Sequence, residues 1–221
     1  MGKKILKISL IFIAFLILGF IIAFGLYIFQ VYRTTKAEQK SLAGQILLGG
    51  QKFEVSTKDD YWFGSANPRV TIIEFSDFAC TNSKSTFPRI REIVTLYKKD
   101  VRVVFKDFPQ FDESLGLALG ARCAGEQGLF WLMHDKLFEH QGITGEDAIL
   151  EAAKQIGADE KRFKKCFEET KYLEQIKNNI IDADRIGIDG TPTWIINGYM
   201  VKGDIPLVLW DNLIKRLLKQ N

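Results

Sequence analysis

Cys80 stands in the stretch VTIIEFSDFACTNSKS (Val70–Ser85), between an apolar run and a segment with helical spacing. A cysteine at a strand-to-helix junction has a definite chemistry. The thiolate is the reactive form of the side chain, and the free N–H groups and positive dipole end of a helix favour an anion there. The bland alternative is a buried, inert cysteine, because a free thiol packs as a small apolar group. Ser83 follows three residues later, where its hydroxyl could donate a hydrogen bond to the thiolate. It cannot act as a second thiol, since a hydroxyl is not redox active. Cys80-Thr81-Asn82-Ser83 is therefore a one-thiol site. It can attack a disulfide and form a mixed disulfide, but release needs a thiol from elsewhere.

Glu74 lies on the same apolar run. It is either at a strand end in water or a buried acid with a raised pKa. Asp77 reads as a turn residue. Far downstream, Gly190–Trp194 reads GTPTW. A turn of this kind before a strand suits a cis bond at Thr191-Pro192, the alternative being a trans proline that opens a strand. Cys123 and Cys166 each fall on the apolar face of a helical segment; each is either a core residue or, outside the cytoplasm, half of a disulfide. His134 and His140 are six apart and no C-x-x-C occurs. No metal site is expected, and no metal or organic cofactor is implied.

These residues need elements to position them. Arg69–Phe75 is β-branched and apolar on both faces, as in a strand buried between helix layers. Ser83–Tyr97 has helical spacing at Phe87, Ile90, Ile93, Val94 and Tyr97, with Pro88 expected to kink it. Val101–Lys106 reads as a second buried strand. Helical stripes follow at Leu115/Leu119/Cys123, Phe130/Met133/Leu137/Phe138 and Ile149/Leu150/Ala153/Ile156, the last closed by Gly157. Asp159 suits the cap of a short helix carrying Phe163, Cys166 and Phe167, and Leu173, Ile176, Ile180 and Ala183 mark a longer one. Trp194–Ile196 and Tyr199–Val201 flank Asn197-Gly198, a strong hairpin signal. Leu207–Leu218 closes the chain as an amphipathic helix, and Phe53–Trp62 reads as a short leading strand or arm.

The N-terminus is a different kind of sequence. Lys3, Lys4 and Lys7 precede Ile8–Phe29, which carries no charge and is long enough to span a bilayer. A cleaved signal peptide competes with this reading, but Thr35-Lys36-Ala37 is a poor cleavage site. The expected organisation is a signal anchor over 1–29, a juxtamembrane spacer over 30–60 and a folded domain over 61–221. Flanking charges weakly favour a cytoplasmic N-terminus, which puts the domain outside the cell membrane as the globular part of a single-pass protein. A net charge of +3 and the lack of any nucleic-acid motif argue against a nucleic-acid partner.

Four ordered blocks, EFSDFAC, VFKDFP (Val104–Pro109), ARCAGEQGLFWLMHDKLF (Ala121–Phe138) and GTPTWIING (Gly190–Gly198), resemble the DsbA-like thioredoxin-fold family. The resemblance runs from about Tyr61 to the C-terminus. It implies an α/β, thioredoxin-like fold with an inserted helical subdomain at about 112–187, preceded here by the transmembrane helix. The family's usual motif is C-x-x-C, so this chain is a monothiol C-x-x-S variant. The resemblance implies Cys80 as nucleophile, Ser83 as its neighbour, Glu74 as a proton relay beneath it, and Thr191-Pro192 as the loop that binds substrate peptide. It also implies a structural disulfide between Cys123 and Cys166, which leaves Cys80 as the free thiol. The implied function is a membrane-anchored thiol–disulfide exchange protein acting on extracytoplasmic protein thiols, isomerase- or reductase-like. Its partners would be protein thiols and disulfides, with a redox partner protein or a small thiol for release. Two other readings keep the same fold: a glutathione-dependent enzyme like the kappa-class transferases, and a non-catalytic peptide-binding or assembly module with a vestigial site.

Overall fold

The uncharged N-terminal stretch can satisfy its backbone only within itself, and it forms one long helix, α1 (Gly2–Leu47), in the computed structural model, which describes residues 2–47 and 50–220. Within α1, Phe15–Ala37 has a mean hydropathy of 2.2 and is long and apolar enough to cross a membrane. The polar segment after Phe29, expected as a spacer, continues the helix to Leu47. The reason is composition: Ala37, Glu38, Gln39, Lys40 and Leu42 are good helix formers, and Gly44 alone does not outweigh them. The chain from residue 49 onward forms a second, separate unit.

That unit is built from β1 (Trp62–Gly64), β2 (Val70–Ser76), α2 (Thr81–Leu96), β3 (Val101–Asp107), α3 (Ser114–Gly125), α4 (Phe130–Glu139), α5 (Glu146–Gln155), α6 (Glu160–Glu168), α7 (Leu173–Arg185), β4 (Thr193–Ile196), β5 (Tyr199–Lys202) and α8 (Leu207–Gln220). The five strands form one sheet in the order β1-β3-β2-β4-β5. β2 and β3 are parallel, in register from Val70 opposite Val101 to Ser76 opposite Asp107. β4 runs antiparallel to β2, and β1 antiparallel to β3. The leading strand differs from expectation. It starts where the expected one ended, at Trp62, while residues 50–60 form no strand and are held in part by Phe53 N, which donates to Gly198 O.

β2 is central and buried on both faces, which is why its sequence reads as an unbroken apolar run. On one face Ile73 and Phe75 pack with Val104, Ile195, Ala183 and Ile188 beneath α7. On the other, Phe105 joins Phe78 and Phe87 in the larger core, which continues into α3–α6. Trp194 of β4 meets Trp210 of α8 edge-on at 5.1 Å. In the helical insertion Cys123 and Cys166 are joined by a disulfide, with Cα atoms 5.8 Å apart and both residues buried. α3 crosses α5 so closely at Gly120 that a Cβ there would come within 2.6 Å of Ile149 Cγ2.

A buried ionic cluster ties the start of the domain to this core. Asp60 contacts Lys106 Nζ at 2.9 Å and Arg122 Nη2 at 3.0 Å. Lys106 also reaches Asp182, and Arg122 reaches Asp107 at 2.5 Å. Asn179 links to both Lys106 and Asp60. Each cation is thus paired, which burial of charge requires.

Candidate functional site

Parallel β2 and β3 end side by side, at Ser76 and Asp107, and the loops that leave their carboxyl ends build the site. This is where open α/β sheets place their ligands. The β2 chain turns through Asp77, Phe78 and Ala79 and enters α2 at Cys80, the N-cap residue, with extended backbone angles of −75° and 122°. Cys80 N donates to Asp77 O at 3.1 Å, and Lys84 N returns to Cys80 O at 3.0 Å as the first helical turn. Gln141, two residues beyond the end of α4, clamps the turn. Its Nε2 donates to Phe78 O and to Cys80 O, each at 2.9 Å.

Cys80 is largely buried, at 8 % exposure. Its thiol donates to Thr191 O at 3.3 Å. The Thr191-Pro192 bond is cis, and Pro192 O accepts from Gly203 N at 2.8 Å. The fold therefore brings together the two segments that carried the sequence argument, from positions more than a hundred residues apart. Thr191 Oγ1 also donates to Gln110 Oε1 at 3.2 Å, from the chain just beyond β3.

Ser83 is one turn beyond Cys80, as the spacing indicated, but does not make the expected hydrogen bond to its sulfur. It sits in the first turn of α2, on the face buried against the sheet, and its Oγ makes no hydrogen bond. The thiol of Cys80 faces Thr191 instead. Glu74 is on β2 between Phe105 of β3 and Trp194 of β4. It is 1 % exposed and its Oε1 has no hydrogen-bond partner. Burial pushes its carboxyl up to about 7, with Arg91 opposing the rise. Of the two expected locations for Glu74, the interior is the one it occupies. Cys123 and Cys166 are remote from this centre, in the core of the insertion.

Several residues near the site do more than the sequence indicated. Asp77 is more than a turn residue: Oδ1 accepts from Ala79 N, while Oδ2 accepts from Gln110 N and Ser114 Oγ. Gln110 carried one available signal, its place just after Pro109 at the end of a buried strand. His134 was read only against metal binding. It is enclosed by the rings of Phe78, Phe105, Trp131 and Phe138, with centroids at 5.7, 5.0, 5.0 and 4.9 Å. Burial pushes its imidazole down to about 4, so the ring is neutral near pH 7. Nδ1 meets Asp135 Oδ1 at 2.8 Å, and Asp135 in turn pairs with Arg91.

Comparison with known proteins agrees with this geometry. The family described as Thioredoxin matches residues 56–216. The probable disulfide bond formation protein D of Bacillus anthracis is 27% identical over 186 residues, 78% of this chain and 82% of that protein. The Na(+)/H(+) antiporter NhaA 1 of Salinispora arenicola is 32% identical over 142 residues, 63% of this chain. The match spans only 22% of that antiporter's length. Among solved structures, a periplasmic thioredoxin-like protein from Salmonella enterica serovar Typhimurium superposes with a TM-score of 0.62 at 27% identity, over 72% of this chain and 90% of that one. BdbD from Bacillus subtilis gives 0.64 at 23% identity, over 76% and 96%. A sheet with parallel β2 and β3, a cysteine capping α2, a cis proline loop against its sulfur and a helical insertion before β4 account for these matches, and the chain belongs to the thioredoxin family.

Proposed function

We propose that this chain is a membrane-anchored thiol–disulfide exchange protein that works through Cys80 alone, on protein thiols outside the cytoplasm. One observation carries the reading: the thiol of Cys80, at the N-cap of α2, faces the carbonyl of Thr191 beside a cis proline. With Cys123 and Cys166 paired, Cys80 is the one remaining thiol of the chain's three cysteines. Phe15–Ala37 supplies the anchor, and a buried disulfide suits an oxidising compartment.

The chemistry follows from the count of thiols. The Cys80 thiolate attacks one sulfur of a substrate disulfide. A new S–S bond joins Cys80 to the substrate, and the other substrate sulfur leaves as a thiolate and takes up a proton. A second thiol gives up its proton and attacks the substrate sulfur of the mixed disulfide; a new S–S bond joins those two sulfurs, the bond to Cys80 breaks, and Cys80 leaves as a thiolate and takes up a proton. If that thiol belongs to the same substrate, the outcome is isomerisation. If it is a small thiol or a partner protein, the disulfide passes to it. Glu74, buried and titrating near neutrality, is assigned the exchange of the Cys80 proton. Thr191 and Pro192 are assigned the substrate backbone, which would take the place of the thiol at the Thr191 carbonyl.

Trapping tests the reading. Native membranes containing the full chain are quenched in acid, alkylated and resolved without reductant. Protein adducts that disappear on reduction, and are missing from Cys80→Ala, are expected. A parent chain that forms no more adducts than Cys80→Ala refutes exchange through this residue and leaves the non-catalytic binding module as the better account.

A further inference from the structure

We infer that Asp77 is a positioning residue that fixes the spacing between the Cys80 loop and the Thr191-Pro192 loop, with Gln110 as its arm to the second loop. The inference deepens the exchange reading and rests on it. An aspartate that only caps a turn needs one oxygen. Asp77 spends Oδ1 on that role, accepting from Ala79 N at 2.8 Å. Its other oxygen reaches across the fold, to Gln110 N at 2.7 Å and Ser114 Oγ at 2.9 Å. The carboxylate is buried, at 2 % residue exposure, so these bonds are shielded from competing water.

The contacts close a ring. Cys80 N donates to Asp77 O. The Asp77 carboxylate holds the backbone of Gln110. The Gln110 side chain accepts from Thr191 Oγ1 at 3.2 Å, and Thr191 O accepts from the Cys80 thiol at 3.3 Å. Three separate chain segments are thus joined through four residues. The ring matters when the sulfur turns from Thr191 O to a substrate. One link opens, and the other three keep the two loops at their spacing. A substrate peptide between the loops must meet both at once and so depends on that spacing. A small disulfide meets only the sulfur and does not.

Gln110 gives a clean test because its side chain is exposed and lies outside the core. The full chain in detergent is reacted at Cys80 with a small aromatic disulfide and, separately, with a peptide that carries a disulfide. For Gln110→Ala the expected results are an unchanged Tm, a small-disulfide rate within about twofold of the parent, and a peptide rate lowered about fivefold, the worth of one hydrogen bond. Gln110→Glu keeps an acceptor for the Thr191 hydroxyl and should restore the peptide rate. Asp77→Asn should show the same selective loss together with a lower Tm, and adding Gln110→Ala to it should slow the peptide reaction no further. A peptide rate for Gln110→Ala within twofold of the parent overturns the inference, as does an equal fall in both rates. A parent chain that reacts with neither disulfide refutes the exchange reading instead.

Discussion

Glu74→Gln removes a carboxyl that the fold holds against its own preference. Burial raises Glu74 from 4.5 to about 7. The folded chain therefore binds a proton more tightly than the unfolded chain, and stability falls as pH rises from 4.5 through 7. At 1.36 kcal/mol per unit, a rise of roughly 2.5 units costs about 3 kcal/mol above pH 7. His134 works in the opposite direction. Its folded value of about 4 lies below 6.5, so its contribution is present above 6.5 and is lost as pH falls toward 4. Between pH 4.5 and 6.5 the two slopes oppose each other and the parent should be nearly flat. The glutamine keeps the shape and lacks the titration. The difference in stability, variant minus parent, should therefore grow by about 3 kcal/mol between pH 4.5 and 7.5. Urea unfolding of the full chain in detergent, followed by tryptophan fluorescence at fixed ionic strength, measures it; Trp194 and Trp210 are both fully buried reporters. A difference that does not vary with pH would show that Glu74 titrates as an ordinary carboxylate, and the argument from burial would fail.

Ser83→Cys should form an internal disulfide with Cys80, since residue 83 lies one helical turn on, in the first turn of α2; thiol titration after mild oxidation should find no free thiol, and a persistent one would show that the two side chains cannot meet. The variant should also oxidise a reduced model protein, which the parent should do poorly. Replacing Cys123 and Cys166 together by alanine removes a cross-link across 43 residues and should cost about 4 kcal/mol in denaturant unfolding, with Cys80 trapping retained. Asp60→Asn withdraws a charge shared by buried Lys106 and Arg122 and should cost about 3 kcal/mol, where a value near zero would show that Asp182 and Asp107 suffice for the two cations.

The fold was legible where one chemistry dominates a segment. Val70–Ser76 reads as a buried strand because both its faces are covered, and Asn197-Gly198 as a hairpin because both residues take positive φ, 48° and 94°. The cysteine that caps α2 and the cis proline loop that faces it were legible because each needs a particular residue type at a particular junction. Ser83 was legible as the residue one turn beyond Cys80, while its burial was not, because a helix start has an outer and an inner face and spacing alone does not say which one carries it. Lys106, Arg122 and Asp60 were overlooked because charged residues ordinarily face water, and only their mutual pairing makes burial tolerable. Asp77 was half legible. Its turn role is local, while its bonds to Gln110 and Ser114 span 33 and 37 residues and leave no mark on the residues around it.

The position of Asp60 sets how far the chain before the domain can be trimmed. Residues 50–59 are without helix or strand and mostly exposed, so a protease can reach them, and what they lose on cutting is the contact of Phe53 with the hairpin, Lys52 over the Tyr199 ring, the bonds of Arg185 to Glu54 O and of Gln175 to Asp59 O, and the partial packing of Val55. Cleavage there would leave a domain that keeps its whole ionic cluster. Cleavage one residue past Asp60 leaves Lys106 and Arg122 inside the core without a carboxylate they share. Asp60 thus bounds the part of the chain that the domain can lose, and the shortest fragment that refolds alone should begin at or before it.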